Sequence, residues 1–200
     1  PEFEALYDVD SLEEPGGSAD GMDDHFPALA HTREAYDVWA GKPPTERRRT
    51  LLRYYALCSY IDAMFGRVLT FLEETGALEQ TVVVFLSDHG ESLGERRRFG
   101  KYSLYEASVR VPLIMAGPGV ARGQRDDRLA ELVDVAPTLL ALAGLDVPAS
   151  LPGELLTAPS RRAGAFAEMH GNGSQDVLCA PALMWRTREW KLIVWHAGDM

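Results

Sequence analysis

The stretch TVVVFLSDHGESLGERRRFGK, residues 81–101, changes character abruptly at its middle. Thr81 to Val84 are four consecutive β-branched residues, and Phe85 and Leu86 extend the apolar run. Such a run, without polar alternation, predicts a strand buried on both faces, as in parallel sheets. The run then stops at Ser87-Asp88-His89-Gly90, and a charged, glycine-rich loop leads to Lys101. In open α/β sheets ligands bind beyond the carboxyl ends of the strands, which is where Asp88 and His89 stand. An oxygen and a nitrogen ligand side by side suit a divalent cation, the carboxylate favouring hard ions and the imidazole admitting manganese or zinc. Gly90 lets the backbone turn sharply beside them. Lys101, after Gly100, could set a point charge against a tetrahedral anion. The same residues also read more simply, as a turn cap beside a surface imidazole, with Arg96-Arg97-Arg98 a solvated loop.

Outward from this strand the chain alternates helix and strand, which predicts an α/β fold. Residues 1–44 are rich in Pro, Gly, Asp and Glu and read as an irregular segment. Thr45 is a candidate cap for a helix whose stripe is Leu51, Leu52, Tyr55, Cys58, Ile61, Phe65, Val68, Leu69 and Leu72. Gly76 ends it, and the stripe is expected to pack on a sheet. VRVPLIMAG (109–117) predicts a second strand, with Pro112 tolerated only near its start or at an edge. Asp134 is expected to cap a short helix with Pro137 in its first turn and Gly144 at its end. Pro148, Pro152 and Pro159 mark a connector, 145–162. AGAFAEM, APALMWRTR and WKLIVW predict a small antiparallel subdomain over 163–200, its last two strands a hairpin around Arg188 and Glu189. The expected body is therefore residues 1–144.

Composition narrows the function classes. Apolar residues make up 46% and charged residues 25% of the 200, as in globular chains. A net charge of -10 argues against a nonspecific nucleic-acid surface, and no run approaches the roughly 20 apolar residues of a membrane helix. Cys58 and Cys179, the two cysteines, form no CxxC pair. Cys58 lies in the helical stripe and is expected to be a buried structural thiol. The chain begins at Pro1 without a signal-type segment and stops after KLIVWHAGDM, so it reads as an internal piece of a longer protein. Cytoplasm and periplasm both stay open, as does oligomeric state.

SDHGESLGERRRFGKYSLYEASVRVPLIMAGPGV resembles the sulfatase family of the alkaline-phosphatase-like superfamily, whose members carry D-[HN]-G at a strand end, G-E-x-L-G, G-K, Y-E and R-V-P-L-I. RYYALCSYIDAMFGRVLTFLEETG is similar to the family's long helix, ELVDVAPTLLALAGLDVP to its DlaPTlL helix, and RTREWKLIV to strands of its C-terminal subdomain. The resemblance runs from about residue 46 to 195. It implies a mixed, mainly parallel sheet sandwiched by helices, with a small C-terminal antiparallel subdomain.

It further implies that Asp88 and His89 are two ligands of a divalent metal, Ca²⁺ first and Mn²⁺ as the alternative. Lys101 then binds the sulfate or phosphate group. The family's nucleophile is a formylglycine made within C/S-x-P/A-x-R. Neither Cys58 nor Cys179 sits in that motif, so the nucleophile and the paired aspartates of the metal shell are expected upstream of Pro1. PEFEALYD is similar to the segment that follows the family's P-H-x-P histidine. Arg96-Arg97 stands where relatives often carry His-Gly, and His25 and His31 match no family motif and are expected to be exposed structural histidines. The expected activity is sulfuric-ester hydrolysis by the longer protein on a small-molecule ester, with this chain alone inactive. Phosphonate monoester or phosphodiester hydrolysis, and a noncatalytic binding or regulatory piece, are the alternatives.

Overall fold

The computed structural model describes residues 2–15, 39, 41–170 and 181–195. His25, His31 and Cys179 lie outside them. The chain splits into two compact units. The first comprises Pro1–Thr75, Glu91–Tyr102 and Gly171–Ala180, and the second Gly76–Gly90, Ser103–His170 and Pro181–Met200.

The first unit is organised around a long helix, α1 (Pro44–Glu74), and a two-stranded hairpin, β2 (Ser92–Leu93) with β3 (Phe99–Gly100). Thr45 does not cap α1. Pro43 holds the N-cap position and Pro44 the first turn, where a missing N–H removes no helical bond. Gly76, at φ +68°, ends the helix as the sequence predicts. The stripe is only partly covered in this unit. Leu51 is fully buried, whereas Ile61 and Val68 are exposed. Within this unit α1 packs on the β2–β3 hairpin through Leu51 and Leu93 and on the N-terminal segment: Tyr7 stacks on Tyr55, with ring centroids 5.6 Å apart, and bonds Ser59 Oγ at 2.6 Å. Cys58 is exposed, not buried. Partial desolvation pushes its thiol up, away from the thiolate a nucleophile needs.

In the second unit β1 (Val83–Leu86) pairs antiparallel with β4 (Leu113–Ala116), Val83 opposite Ala116 and Leu86 opposite Leu113. Pro112 falls just before β4, where it removes no ladder bond. Every strand pairing among the described residues is antiparallel. β1 is half-buried, not doubly buried, and Leu86 and Ile114 stay exposed. The partner of β1 among the described residues is β4, and the parallel neighbours expected for it are not among them. Between the strands lies a single helical turn, α2 (Glu106–Val109).

Asp134 precedes α3 (Val135–Leu142) but does not cap it with its side chain. Its carboxylate serves a capping box with Glu131 on the preceding 3-10 turn, accepts the Glu154 N–H at 2.7 Å and pairs with Arg162. Burial pushes the Asp134 carboxyl up, and the Glu154 N–H pulls it back. Gly144 ends α3 with φ +70°. The expected C-terminal strands form: β5 (Ala165–Met169), β6 (Ala182–Arg186) and β7 (Lys191–Trp195) make one antiparallel sheet, order β5-β6-β7. Its alternation is plain, Ala182 and Met184 inward, Leu183 and Trp185 outward. The inward face packs on Leu104 and Val109. No helix among the described residues is long and apolar enough to cross a membrane.

Candidate functional site

The turn after β1 sets Asp88 and His89 as follows. Ser87 Oγ donates to the His89 carbonyl at 2.7 Å, and the His89 N–H donates to Asp88 Oδ1 at 3.0 Å. Ring nitrogen Nδ1 of His89 lies 2.8 Å from the Gly90 carbonyl. A carbonyl only accepts, so Nδ1 carries a proton, and in the neutral ring this leaves the lone pair on Nε2. Tying one ring nitrogen this way is how a metal-binding imidazole is oriented. Nε2 stands 3.7 Å from Asp88 Oδ1. Ligands held at roughly 2.1–2.5 Å from one cation lie within such a distance of each other. The Asp88 side chain is 84% exposed, so a cation would meet a solvated carboxylate on an open approach. The pair fits a divalent cation as part of a shell. No cluster of three or more His, Cys, Asp or Glu placed for a metal occurs among the described residues.

Gly90 is needed here for space. A Cβ on it would come 2.0 Å from the Ala107 carbonyl oxygen, far inside contact. The Gly90 N–H donates to the Ser108 carbonyl at 2.7 Å, so the turn rests flat on α2. Ser108 is buried, and its hydroxyl meets that of Ser103 at 2.9 Å. α2 is in turn held by charges that reading the sequence for site chemistry missed. Lys191 Nζ donates to the Leu104 carbonyl at 2.8 Å and pairs with Glu106 at 2.6 Å, and Arg186 approaches Glu106 at 3.7 Å. Burial pushes the Glu106 carboxyl up, but the Lys191 bond and charge, with Arg186 and Arg110, outweigh it and lower its pKa. Opposite charges in the Y-E and W-K motifs were the available signal. A separation of 87 residues between Lys191 and Leu104 hid it.

The structure brings Asp88 and His89 together. Lys101 belongs to the first unit, exposed immediately after β3. Arg98, read as solvated loop, is buried, and Arg96 has a left-handed backbone at φ 53°.

A sulfatase family profile matches residues 21–145, across both Asp88-His89 and Lys101. The chain belongs to the sulfatase family. A second profile, the C-terminal region of N-sulphoglucosamine sulphohydrolase, matches residues 94–197. Among curated sulfatase relatives, mouse arylsulfatase K is 39% identical over 158 residues, which is 72% of this chain and 28% of that protein. Human arylsulfatase K is 37% identical over 158 residues, 72% of this chain and 29% of that protein. The chain thus spans less than a third of the relatives it matches. A phosphonate monoester hydrolase from Silicibacter pomeroyi superposes with a TM-score of 0.83 at 26% identity, over 96% of this chain and 44% of that one. A protein solved with its substrate D-glucosamine-2-N,6-O-disulfate superposes with a TM-score of 0.72 at 27% identity, over 88% and 37%. The fold is the alkaline-phosphatase-like α/β fold of these sulfatase neighbours.

Proposed function

We propose that the protein to which this chain belongs is a metal-dependent sulfuric-ester hydrolase. The observation that carries the reading is the Asp88–His89 pair on a sulfatase frame, with Nδ1 tied to the Gly90 carbonyl and Nε2 beside the carboxylate. Asp88 Oδ1 and His89 Nε2 would hold the cation, calcium by the hardness of the carboxylate, or manganese, which imidazole also suits. When bound, such a cation supplies positive charge that polarises the oxygens of a sulfate ester. The Lys101 ammonium opposes charge developing on the transferred group. A formylglycine outside these 200 residues serves as nucleophile, so residues 1–200 alone are inert.

Phosphonate monoester hydrolysis is the second reading, favoured by the likeness to the Silicibacter pomeroyi hydrolase. An aryl sulfate and a phosphonate monoester each carry one negative charge and a phosphate monoester two, so the first two are separated by the geometry of the reacting centre and the third by charge as well. The intact protein should cleave an aryl sulfate with higher kcat/KM than the matched aryl phosphonate and phosphate esters. A reversed order would move the assignment to the phosphonate reading. No turnover of any of the three would support a noncatalytic role.

A further inference from the structure

We propose that Trp39 is the residue that positions Lys101, by filling the hollow of the β2–β3 hairpin from which Lys101 emerges. The inference rests on the reading of Lys101 as an anion-binding group.

The hairpin is too small to hold its own shape. Each strand has two residues, paired Ser92 with Gly100 and Leu93 with Phe99, and an isolated two-stranded ribbon is at best marginally stable in water. Bonds at its tip close the loop without fixing it sideways: Gly94 N–H to the Arg98 carbonyl at 2.9 Å, and Leu93 N–H to Glu95 Oε2 at 2.6 Å. Lateral support comes from Trp39, which is only 9% exposed. At Gly94 a Cβ would sit 2.9 Å from three atoms of the indole, so the hairpin lies directly on the ring. On the opposite strand Phe99 packs against the same indole, centroids 5.6 Å apart at 55°. Leu93 and the fully buried Leu51 of α1 close the cluster.

The ring itself is fixed. The Arg47 guanidinium lies 5.7 Å from its centroid, and Arg47 Nε is held 2.9 Å from Glu14 Oε2. A large aromatic in such a setting is a stiff spacer, with two rotatable bonds and a broad contact face. Lys101 follows Phe99 by two residues, so whatever displaces the Phe99 strand displaces the ammonium. Trp39 touches the hairpin on both strands and is separated from Lys101 by 62 positions of sequence, a link that only the fold reveals.

The test is a double-mutant cycle in the intact protein, read as kcat/KM on an aryl sulfate. Lys101→Ala should lower it about 10²–10³-fold. Trp39→Ala should lower it by at least about 10-fold, and most of that loss should vanish in the Lys101→Ala background, because both changes then remove one function. Trp39→Phe should show the same coupling with a smaller loss, and it serves if Trp39→Ala fails to fold. Phe3→Ala, which removes the edge contact with Tyr60 of α1 at 5.7 Å, outside the Trp39 cluster, should lower the melting temperature with turnover near wild type. Equal losses from the Trp39 variants in both backgrounds, or wild-type turnover in Trp39→Phe together with Trp39→Ala, would overturn the inference. An unaffected Lys101→Ala would instead overturn the anion-binding reading, and this inference with it.

Discussion

His89 owes its usefulness to a backbone oxygen. The Gly90 carbonyl fixes the imidazole proton on Nδ1, and Asp88 Oδ1 then shares an approach with Nε2. That arrangement requires the chain to pass within contact of α2, which only a residue without a Cβ permits. Gly90→Ala is therefore expected to destabilise the fold by about 1–3 kcal/mol, the range for forcing atoms into a packed site, and to disturb the proposed cation ligands at the same time. Chemical denaturation of wild type and variant measures the first effect. A change below about 0.5 kcal/mol, the size of an ordinary surface substitution, would show that the turn relaxes away from Ala107 freely. Asp88 and His89 were legible in the sequence because they are adjacent at the end of an apolar run. The Gly90 carbonyl and the Ser108 acceptor were not, since backbone atoms carry no residue identity.

Among elements, the sheet β5-β6-β7 and α2 form one supported unit, and Lys191 joins them. Its ammonium satisfies both the Leu104 carbonyl and Glu106. Lys191→Ala should cost roughly 1–2 kcal/mol at pH 7, a charge-assisted bond discounted because Glu106 is half-exposed. Part of that cost is pH-dependent. The folded protein holds the Glu106 pKa below its ordinary 4.5, so the folded state binds this proton less readily than the unfolded state. The stabilisation is thus fully present above about pH 4.5 and is lost as pH falls through the lowered folded value. Thermal melts of wild type and Lys191→Ala should differ more at pH 7 than at pH 3. An unchanged gap would mean that Glu106 contributes nothing and only the Leu104 bond counts. The strands of this sheet were readable because their alternation is strict and the Arg188-Glu189 turn is short. α1 was readable in extent, but the choice of Thr45 over Pro43 at its start was not, since several polar and proline residues there satisfy the same first-turn chemistry. Asp134 looked like a helix cap and is instead a buried acceptor shared by Glu131, Glu154 and Arg162, partners that lie up to 28 residues away.

For the whole molecule, the resemblance in the motifs and the superposition on sulfatase-family structures agree on fold. The continuous Val-Val-Val-Phe-Leu run suggested a doubly buried parallel strand, and within the described residues β1 has only its antiparallel partner β4. Strand partners are a property of the assembled sheet, which a local pattern does not contain. The proposed hydrolysis likewise calls on chemistry outside this chain, so its decisive test uses the intact protein. The measurement is kcat/KM on an aryl sulfate for Asp88→Ala beside wild type, each stripped with chelator and then given calcium. Removing residues that merely orient metal ligands costs about 10–100-fold, so loss of a ligand should cost on the order of 10²-fold or more. Wild type should regain its rate on calcium addition, and Asp88→Ala should not. Asp88→Ala turning over within a few-fold of wild type under the same conditions would contradict the account.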